Sequence, residues 1–256
     1  MSVTRGTFLK SLGKSLPGMV LGSGVGTAAQ KLLGKLAAVP GMPGHQEAVA
    51  QKDAIKQALA DVVHNGPAEG NRVALTFDDG PTPGVTDRIL DELKARNLHA
   101  TFFMIGQCVA AAPDLARRVV AEGHLAGNHT YTHRRLTELS DTQAAEEILK
   151  TQDLMADVLN VRPVWFRPPF GLMNHNQNLL LSGYGLRVAM WNVDTRDWSK
   201  PGTDQILAHV ADNTKAGAII LCHDKFAQTA DALPCILDYL AEHALSPVTM
   251  PVLLAS

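Results

Sequence analysis

From residue 73 onward, short apolar runs alternate with longer amphipathic ones. The short runs are "VALTF" (73–77), "ATFFMIG" (100–106), "HLAGNHT" (124–130), "VWFRPPF" (164–170), "RVAMWNVD" (187–194), "AIILCHD" (218–224) and "PVTMPVL" (247–253). Their length and β-branched or aromatic content predict strands. Between them, "TDRILDELKARN" (86–97), "PDLARRVVAEG" (113–123), "TQAAEEILKTQDLMADVL" (142–159), "TDQILAHVADN" (203–213) and "ALPCILDYLAEH" (232–243) carry the spacing of amphipathic helices. Upstream, "QEAVAQKDAIKQALADVV" (46–63) also has helical spacing, and "HNGPAEGN" (64–71) interrupts it before the first strand. Residues 1–45 are rich in Gly, Ala and Lys and end in the breaker "AVPGMPG". Three parts follow: an arm over 1–45, a helix and linker over 46–70, and a main domain over 71–256.

Alternating β and α units with near-continuous apolar strands predict an α/β fold with a parallel sheet covered by helices. Seven strands in this length suit a barrel or barrel-like sheet, with a doubly wound open sheet as the alternative. Polar residues gather where the apolar runs stop. Asp78 and Asp79 follow "VALTF", His129 and His133 follow "HLAGN", and Arg167 follows "VWF". Asp194 and Asp197 follow "VAMWNV", and His223 follows "AIILC". In parallel α/β folds the C-terminal strand ends share one face, so five strand ends converge on one mouth.

Composition narrows the class. Apolar residues make up 46% of the 256 and charged ones 19%, the balance of a folded globular chain. The net charge is −2 and no Lys/Arg run offers itself to a phosphate backbone, which excludes a nucleic-acid partner. No apolar run reaches the ~20 residues needed to span a bilayer. The start, "TRGTFLKSLGKSLPGMVLGSGVGTAAQ", has a basic head, a Gly-rich middle and small residues near Ala28 and Ala29, like a twin-arginine export signal in which Gly6 replaces the second arginine. It places the protein in the periplasm or outside the cell rather than in the cytoplasm; the alternative is an amphipathic arm. Cys108, Cys222 and Cys235 lack zinc-finger spacing and read as buried thiols, with a disulfide between two of them as the other reading.

Each strand end has a plain reading and a chemical one. "NHTYTH" sets His129 and His133 four residues apart, a spacing that aims two imidazoles at one Zn2+, although two surface histidines are the commoner outcome for such a pair alone. A third ligand is then needed, and Asp78 and Asp79 are candidates. "TFDDGPTP" is a Gly-Pro turn that splays these two acids, so one can face a metal and the other can act as a base; adjacency does not choose between them. In "FRPPFG" the prolines stiffen a loop so that Arg167 pairs with a carboxylate and orients it, and the backbone N–H groups of Phe170 and Gly171 face the mouth. His223 in "LCHD" becomes a general acid if Asp197 of "VDTRDW" hydrogen-bonds it.

In order and residue type, "TFDDG", H-T-x-x-H (His129 to His133), R-x-P-F (Arg167 to Phe170), D-x-x-D-W (Asp194 to Trp198) and L-x-H (Leu221 to His223) resemble the polysaccharide deacetylases of carbohydrate esterase family 4, the NodB homology domain. The resemblance runs from about Val73 to the end of the chain. It implies a distorted (β/α) barrel of about seven parallel strands. It also implies a metal-dependent hydrolase that removes N-acetyl groups from N-acetylhexosamine polysaccharides, chitin oligomers or peptidoglycan. On the same resemblance Asp79, His129 and His133 would bind one divalent metal, Zn2+ first, with Co2+ or Ni2+ as alternatives. Asp78 would be the base, Arg167 its partner, His223 the acid and Asp197 its support. Trp198 and Leu221 would wall the acetyl pocket, and the backbone N–H of Phe170, at a position where the family often has tyrosine, would hold the oxyanion. Tyr131, Trp165 and Trp198 would offer stacking surfaces to a sugar polymer. The rival readings are an O-acetyl esterase acting on acetylated xylan or another carbohydrate, and a non-catalytic carbohydrate-binding relative.

Overall fold

In a computed structural model, which describes residues 59–255, the alternating runs become one parallel sheet. Its strands are β1 (Val62–Val63), β2 (Arg72–Asp78), β3 (Thr101–Met104), β4 (Leu125–Asn128), β5 (Trp165–Phe166), β6 (Arg187–Ala189), β7 (Val193–Asp194), β8 (Ile219–His223) and β9 (Ser246–Val248). Their order is β1-β6-β5-β4-β3-β2-β8-β7, with β9 also beside β2, and every pairing is parallel. The helices are α1 (Thr86–Ala95), α2 (Gly106–Ala111), α3 (Pro113–Ala121), α4 (Asp141–Leu159), α5 (His175–Gly183), α6 (Thr203–Asn213), α7 (Ala227–Glu242) and α8 (Met250–Leu253). The arm over 1–45 with its export-signal pattern lies outside the described residues, as does most of the helix expected over 46–63.

Residues 62–63, the last two of that expected helix, instead form β1, which pairs with β6. "RVAMWNVD" is two strands rather than one. β6 and β7 are three residues apart in the chain, yet they stand at opposite ends of the strand order apart from β1. The sheet must therefore curl until its two sides meet, and residues 190–192 form the seam. Its residues are tied to both sides: Met190 N–H donates to Val63 O of β1 (2.7 Å), next to β6, and Asn192 Oδ1 accepts from Ile219 N–H of β8 (2.8 Å), next to β7. "PVTMPVL" also divides: β9 stops at Val248, and Pro251 sits in the first turn of α8, where its missing N–H costs nothing. Helices α2 and α5, absent from the sequence reading, are short and weakly patterned. α4 begins where a capping box predicts, with Ser140 Oγ accepting from Gln143 N–H (3.3 Å) and Gln143 Oε1 from Ser140 N–H (3.1 Å).

The period of two along the strands sorts the barrel. Val73, Leu75 and Phe77 of β2, Phe102 and Met104 of β3, and Ile220 and Cys222 of β8 pack outward against the helices. Ala74, Phe103, Trp165, Ala189 and Ile219 point to a second cluster on the other face, with Met250 and Leu253 at its base. Thr76 and Asp78 share the parity of Ala74, so the same alternation that buries Leu75 and Phe77 carries Asp78 into the barrel. The cysteines are free thiols, Cys222 buried, Cys108 half-buried and Cys235 exposed, so no disulfide joins them. No helix among the described residues is long and apolar enough to cross a membrane.

Candidate active site

All five strand ends meet at the C-terminal face of the sheet. β2 ends on Asp78 beside His223 of β8, with which it is in register. The turn after β2 puts Asp79 in a left-handed conformation (φ 79°), turning its side chain away from that of Asp78. Thr130 (φ 65°) and His133 (φ 59°) do the same for the loop after β4. This tight loop lets the two histidines converge.

Asp79 Oδ1 lies 3.2 Å from His133 Nε2 and 3.6 Å from His129 Nε2. Asp79 Oδ1 is buried and has no hydrogen-bond partner. His129 Nδ1 lies 2.7 Å from Arg167 O; a carbonyl only accepts, so Nδ1 carries a proton and Nε2 is the nitrogen turned toward Asp79. Burial and the neighbouring His129 push the His133 imidazole down to about 4, leaving it neutral at ordinary pH. Burial works to raise the Asp79 carboxyl, but His129, His133, His223 and Lys225 outweigh it and hold it below its usual value. Two imidazoles and one carboxylate, with ligand atoms within 4.8 Å of one another, fit the three-ligand set of a catalytic Zn2+ with a position left open.

Beneath this trio lies Arg167, fully buried inside the barrel. Its Nη1 donates to Asp78 Oδ1 (2.8 Å) and Thr76 Oγ1 (2.8 Å), its Nε to Ala189 O (3.0 Å) and its Nη2 to Met190 O (3.0 Å). The guanidinium also lies 4.2 Å over the Phe103 ring. Burial lowers the Arg167 pKa, and the Asp78 charge and hydrogen bond oppose that shift. Asp78 thereby has one oxygen fixed by Arg167, while Oδ2 faces His129 Nε2 at 3.8 Å. Arg167 does pair with a carboxylate, and it also fastens the seam.

On the far side, His223 Nδ1 faces Asp197 Oδ1 at 2.6 Å, and Asp197 Oδ2 accepts from His223 N–H (2.7 Å) and Thr229 Oγ1 (2.6 Å). Burial opposes the imidazolium, but the Asp197 hydrogen bond and charge, with Asp78 and Asp79 behind them, raise His223 to about 9. Asp197, not Asp194, supports His223; Asp194 Oδ1 accepts from Arg196 N–H instead (2.8 Å).

A cavity of about 630 Å³ opens over these groups, lined by Asp79, His129, His133, His223, Phe170, Asp194, Trp198 and Leu221 from the sequence motifs. Trp198 is half exposed at the rim. Trp191, Phe226 and Lys225 also line it and carry no motif signal. Trp191 sits in the seam that sequence periodicity read as unbroken strand. Two expected stacking residues are elsewhere. Trp165 is 1% exposed, packed in the barrel under Arg187, so it is closed to a sugar. Tyr131 is not among the residues lining this cavity; it lines a separate polar groove beside α4, under Lys150. A further buried acid, Asp224, lies next to His223. Its Oδ2 accepts from Thr86 Oγ1 (2.7 Å), burial pushes its carboxyl up to about 7, and it packs so tightly on Gly80 that a Cβ there has no room.

The family model for polysaccharide deacetylase matches residues 65–189. A peptidoglycan-N-acetylglucosamine deacetylase of Bacillus cereus is 35% identical over 191 residues, covering 73% of this chain and 70% of that relative. The chain belongs to the polysaccharide deacetylase family. Among other deacetylases, peptidoglycan-N-acetylmuramic acid deacetylase PdaC of Bacillus subtilis is 39% identical over 178 residues, which is 70% of this chain but 38% of that protein. The solved structure of the Bc1960 peptidoglycan N-acetylglucosamine deacetylase superposes with a TM-score of 0.74 at 33% identity, covering 78% of this chain and 95% of the other. This polysaccharide deacetylase thus has the curled parallel-sheet fold of its relatives, and with it the hydrolytic class of enzyme they represent.

Proposed function

We propose that this polysaccharide deacetylase hydrolyses N-acetyl groups of an N-acetylhexosamine polysaccharide, using Asp79, His129 and His133 to hold one divalent cation, Zn2+ first. The observation that carries the reading is the opposed pair at the mouth: a carboxylate fixed by a buried guanidinium and an imidazole kept charged by a second carboxylate. Amide hydrolysis needs a base and an acid on either side of one carbonyl carbon. When bound, the cation would polarise the acetyl carbonyl and make water a better nucleophile. Asp78, oriented by Arg167, takes the proton from the attacking water through Oδ2. His223 gives its Nε2 proton to the departing amine, while Asp197 holds Nδ1 and the ring plane. Trp198 and Leu221 enclose the acetyl methyl, and the Phe170 backbone N–H faces the developing oxyanion.

The relatives named above act on peptidoglycan, on N-acetylglucosamine in one case and N-acetylmuramic acid in the other. Peptidoglycan lies outside the cytoplasmic membrane, so this reading places the enzyme's work in the periplasm or beyond. Acetate release should be measured with metal-loaded and chelator-treated protein on peptidoglycan, chitin oligomers and acetylated xylan. Metal-dependent release from an N-acetylated polymer is expected. Release from xylan alone would favour the esterase reading, and no release by metal-loaded protein the non-catalytic one.

A further inference from the structure

The loop that carries His129 and His133 is held by a side chain no motif singles out. Glu147 stands two turns into α4, and its carboxylate reaches across to that loop. Oε2 accepts from Tyr131 N–H (3.0 Å) and Thr132 N–H (2.8 Å), and Oε1 accepts from Thr132 Oγ1 (2.6 Å). Three donors therefore converge on one carboxylate, all from the two residues before His133.

The loop needs such an anchor. Its backbone takes left-handed conformations at Thr130 and again at His133, neither a glycine. Each such residue is strained in an unconstrained chain. Freed from its contacts, the loop would relax toward ordinary angles and move His133 Nε2 away from Asp79. The other anchors fix different parts of the loop. Gly106 N–H and Gln107 N–H of α2 donate to Thr130 O (2.9 Å) and Tyr131 O (3.0 Å), so that side of the loop is occupied by donors to carbonyls. Asn128 Nδ2 ties the start of the loop to Ile148 O (3.0 Å) and Gln152 Oε1 (3.1 Å) of α4, and its Oδ1 accepts from Thr130 N–H (2.8 Å). The backbone N–H groups of Tyr131 and Thr132 turn to Glu147 alone. His129 Nδ1 has its own fixed point in Arg167 O, whereas the His133 ring has only packing against His129 and Phe170 (4.7 Å between centroids for the latter) besides Asp79, with the His133 backbone N–H donating within the loop to Thr130 Oγ1 (3.1 Å).

We propose that Glu147 is a positioning residue for His133, setting the affinity of the Asp79–His129–His133 trio for a divalent cation without touching the cation or the substrate. This rests on the reading that the trio holds the metal. Hydrogen-bonded groups behind metal ligands affect affinity by roughly 10–100-fold, and Glu147 acts one step further back, through the backbone.

The test is zinc affinity, measured by competition with a chromophoric chelator on the full chain, in wild type, Glu147→Ala, Glu147→Gln and Glu147→Asp, with His133→Ala as reference. Glu147→Gln keeps the reach: its amide oxygen can take both N–H donors and its amide nitrogen can donate to Thr132 Oγ1. Glu147→Asp keeps the charge and withdraws the oxygens by one methylene. Positioning predicts that Glu147→Ala and Glu147→Asp bind zinc about 10-fold or more weakly while Glu147→Gln stays within about threefold of wild type. Turnover of the weakened variants should return toward the wild-type value at saturating zinc. The opposite order, with Glu147→Gln weakened and Glu147→Asp unaffected, would mean that charge and not position matters, and would overturn the proposal. So would unchanged affinity in both Glu147→Ala and Glu147→Asp. If Glu147→Ala does not fold, the Gln and Asp pair decides alone. Should wild type and His133→Ala bind zinc equally poorly, the metal reading itself fails, an outcome distinct from the loss of the Glu147 effect.

Discussion

His223, partly buried at the C-terminal mouth, and His124, buried just before β4 at the opposite end of the sheet, are both imidazoles at strand ends. Burial disfavours the charged ring in both. At the mouth, Nδ1 of His223 meets a carboxylate and the ring is raised to about 9. At the other end, Nδ1 of His124 accepts the Ala100 N–H (3.1 Å), a role open only to the neutral ring; burial, with His99 nearby, takes it down to about 4. Depth inside the protein does not assign a histidine its job. The partner does, and at the mouth the partners are acids that the alternation of β2 and the turns after β2 and β7 have turned inward.

The largest effects should separate the two ends by activity. Asp78→Asn and His223→Ala are expected to lower turnover by about 100-fold or more while retaining fold and zinc stoichiometry, and His124→Gln, which keeps an acceptor for Ala100 N–H, should leave turnover unchanged. Acetate release, circular dichroism and metal analysis on the three proteins check this, and a normal rate in either mouth variant breaks the assignment of base and acid. Arg167→Met comes next. It leaves Asp78 buried without its cation and unfastens the seam carbonyls, so denaturant unfolding should show a loss of ~3–5 kcal/mol. Its surface counterpart Arg187→Ala, which breaks the exposed ion pair with Asp61, should cost less than ~1 kcal/mol.

The smallest effects concern pH, and their signs are opposed. Because the folded state raises His223 from 6.5 to about 9, the stability it contributes is full below pH 6.5 and disappears as pH rises through about 9. Metal-free Asp197→Asn should therefore lag wild type most in mild acid, and the gap should narrow above pH 9. Because the folded state lowers His124 from 6.5 to about 4, its contribution is full above pH 6.5 and is lost as pH falls through about 4. His124→Gln should flatten the acid limb of the stability curve by up to ~3 kcal/mol. A shared direction in the two profiles would undo the comparison.

The sequence exposed the mouth more readily than what supports it. Asp78, Asp79, His129, His133, Arg167 and His223 stand where apolar runs end, and in a parallel sheet those ends face one way. Their contacts follow from strand period and turn chemistry, which are local. Trp191, Lys225 and Glu147 escaped because their placement depends on tertiary geometry: a break inside an apolar run, a residue just after a strand, and a helix reaching across to a loop more than a dozen residues away. β1 escaped for a different reason. Two valines at the end of a helical pattern are strand only because the edge of β6 is there to receive them. Trp165 shows the converse error, since an aromatic beside a motif belonged to the barrel's packing.

The place of β2 in the sheet has a consequence in time. β2 ends on Asp78, leads directly into Asp79, and pairs with β3, β8 and β9. Residues 72–78 leave the ribosome early, but their partners at 219–223 and 246–248 follow only after most of the remaining chain has been made. Loop closure over such separations is slow, and an unpaired apolar strand is exposed meanwhile. Asp78 and Asp79 are among the first residues synthesised in this sheet, while two of the three strands that hold β2 in place come late in the sequence.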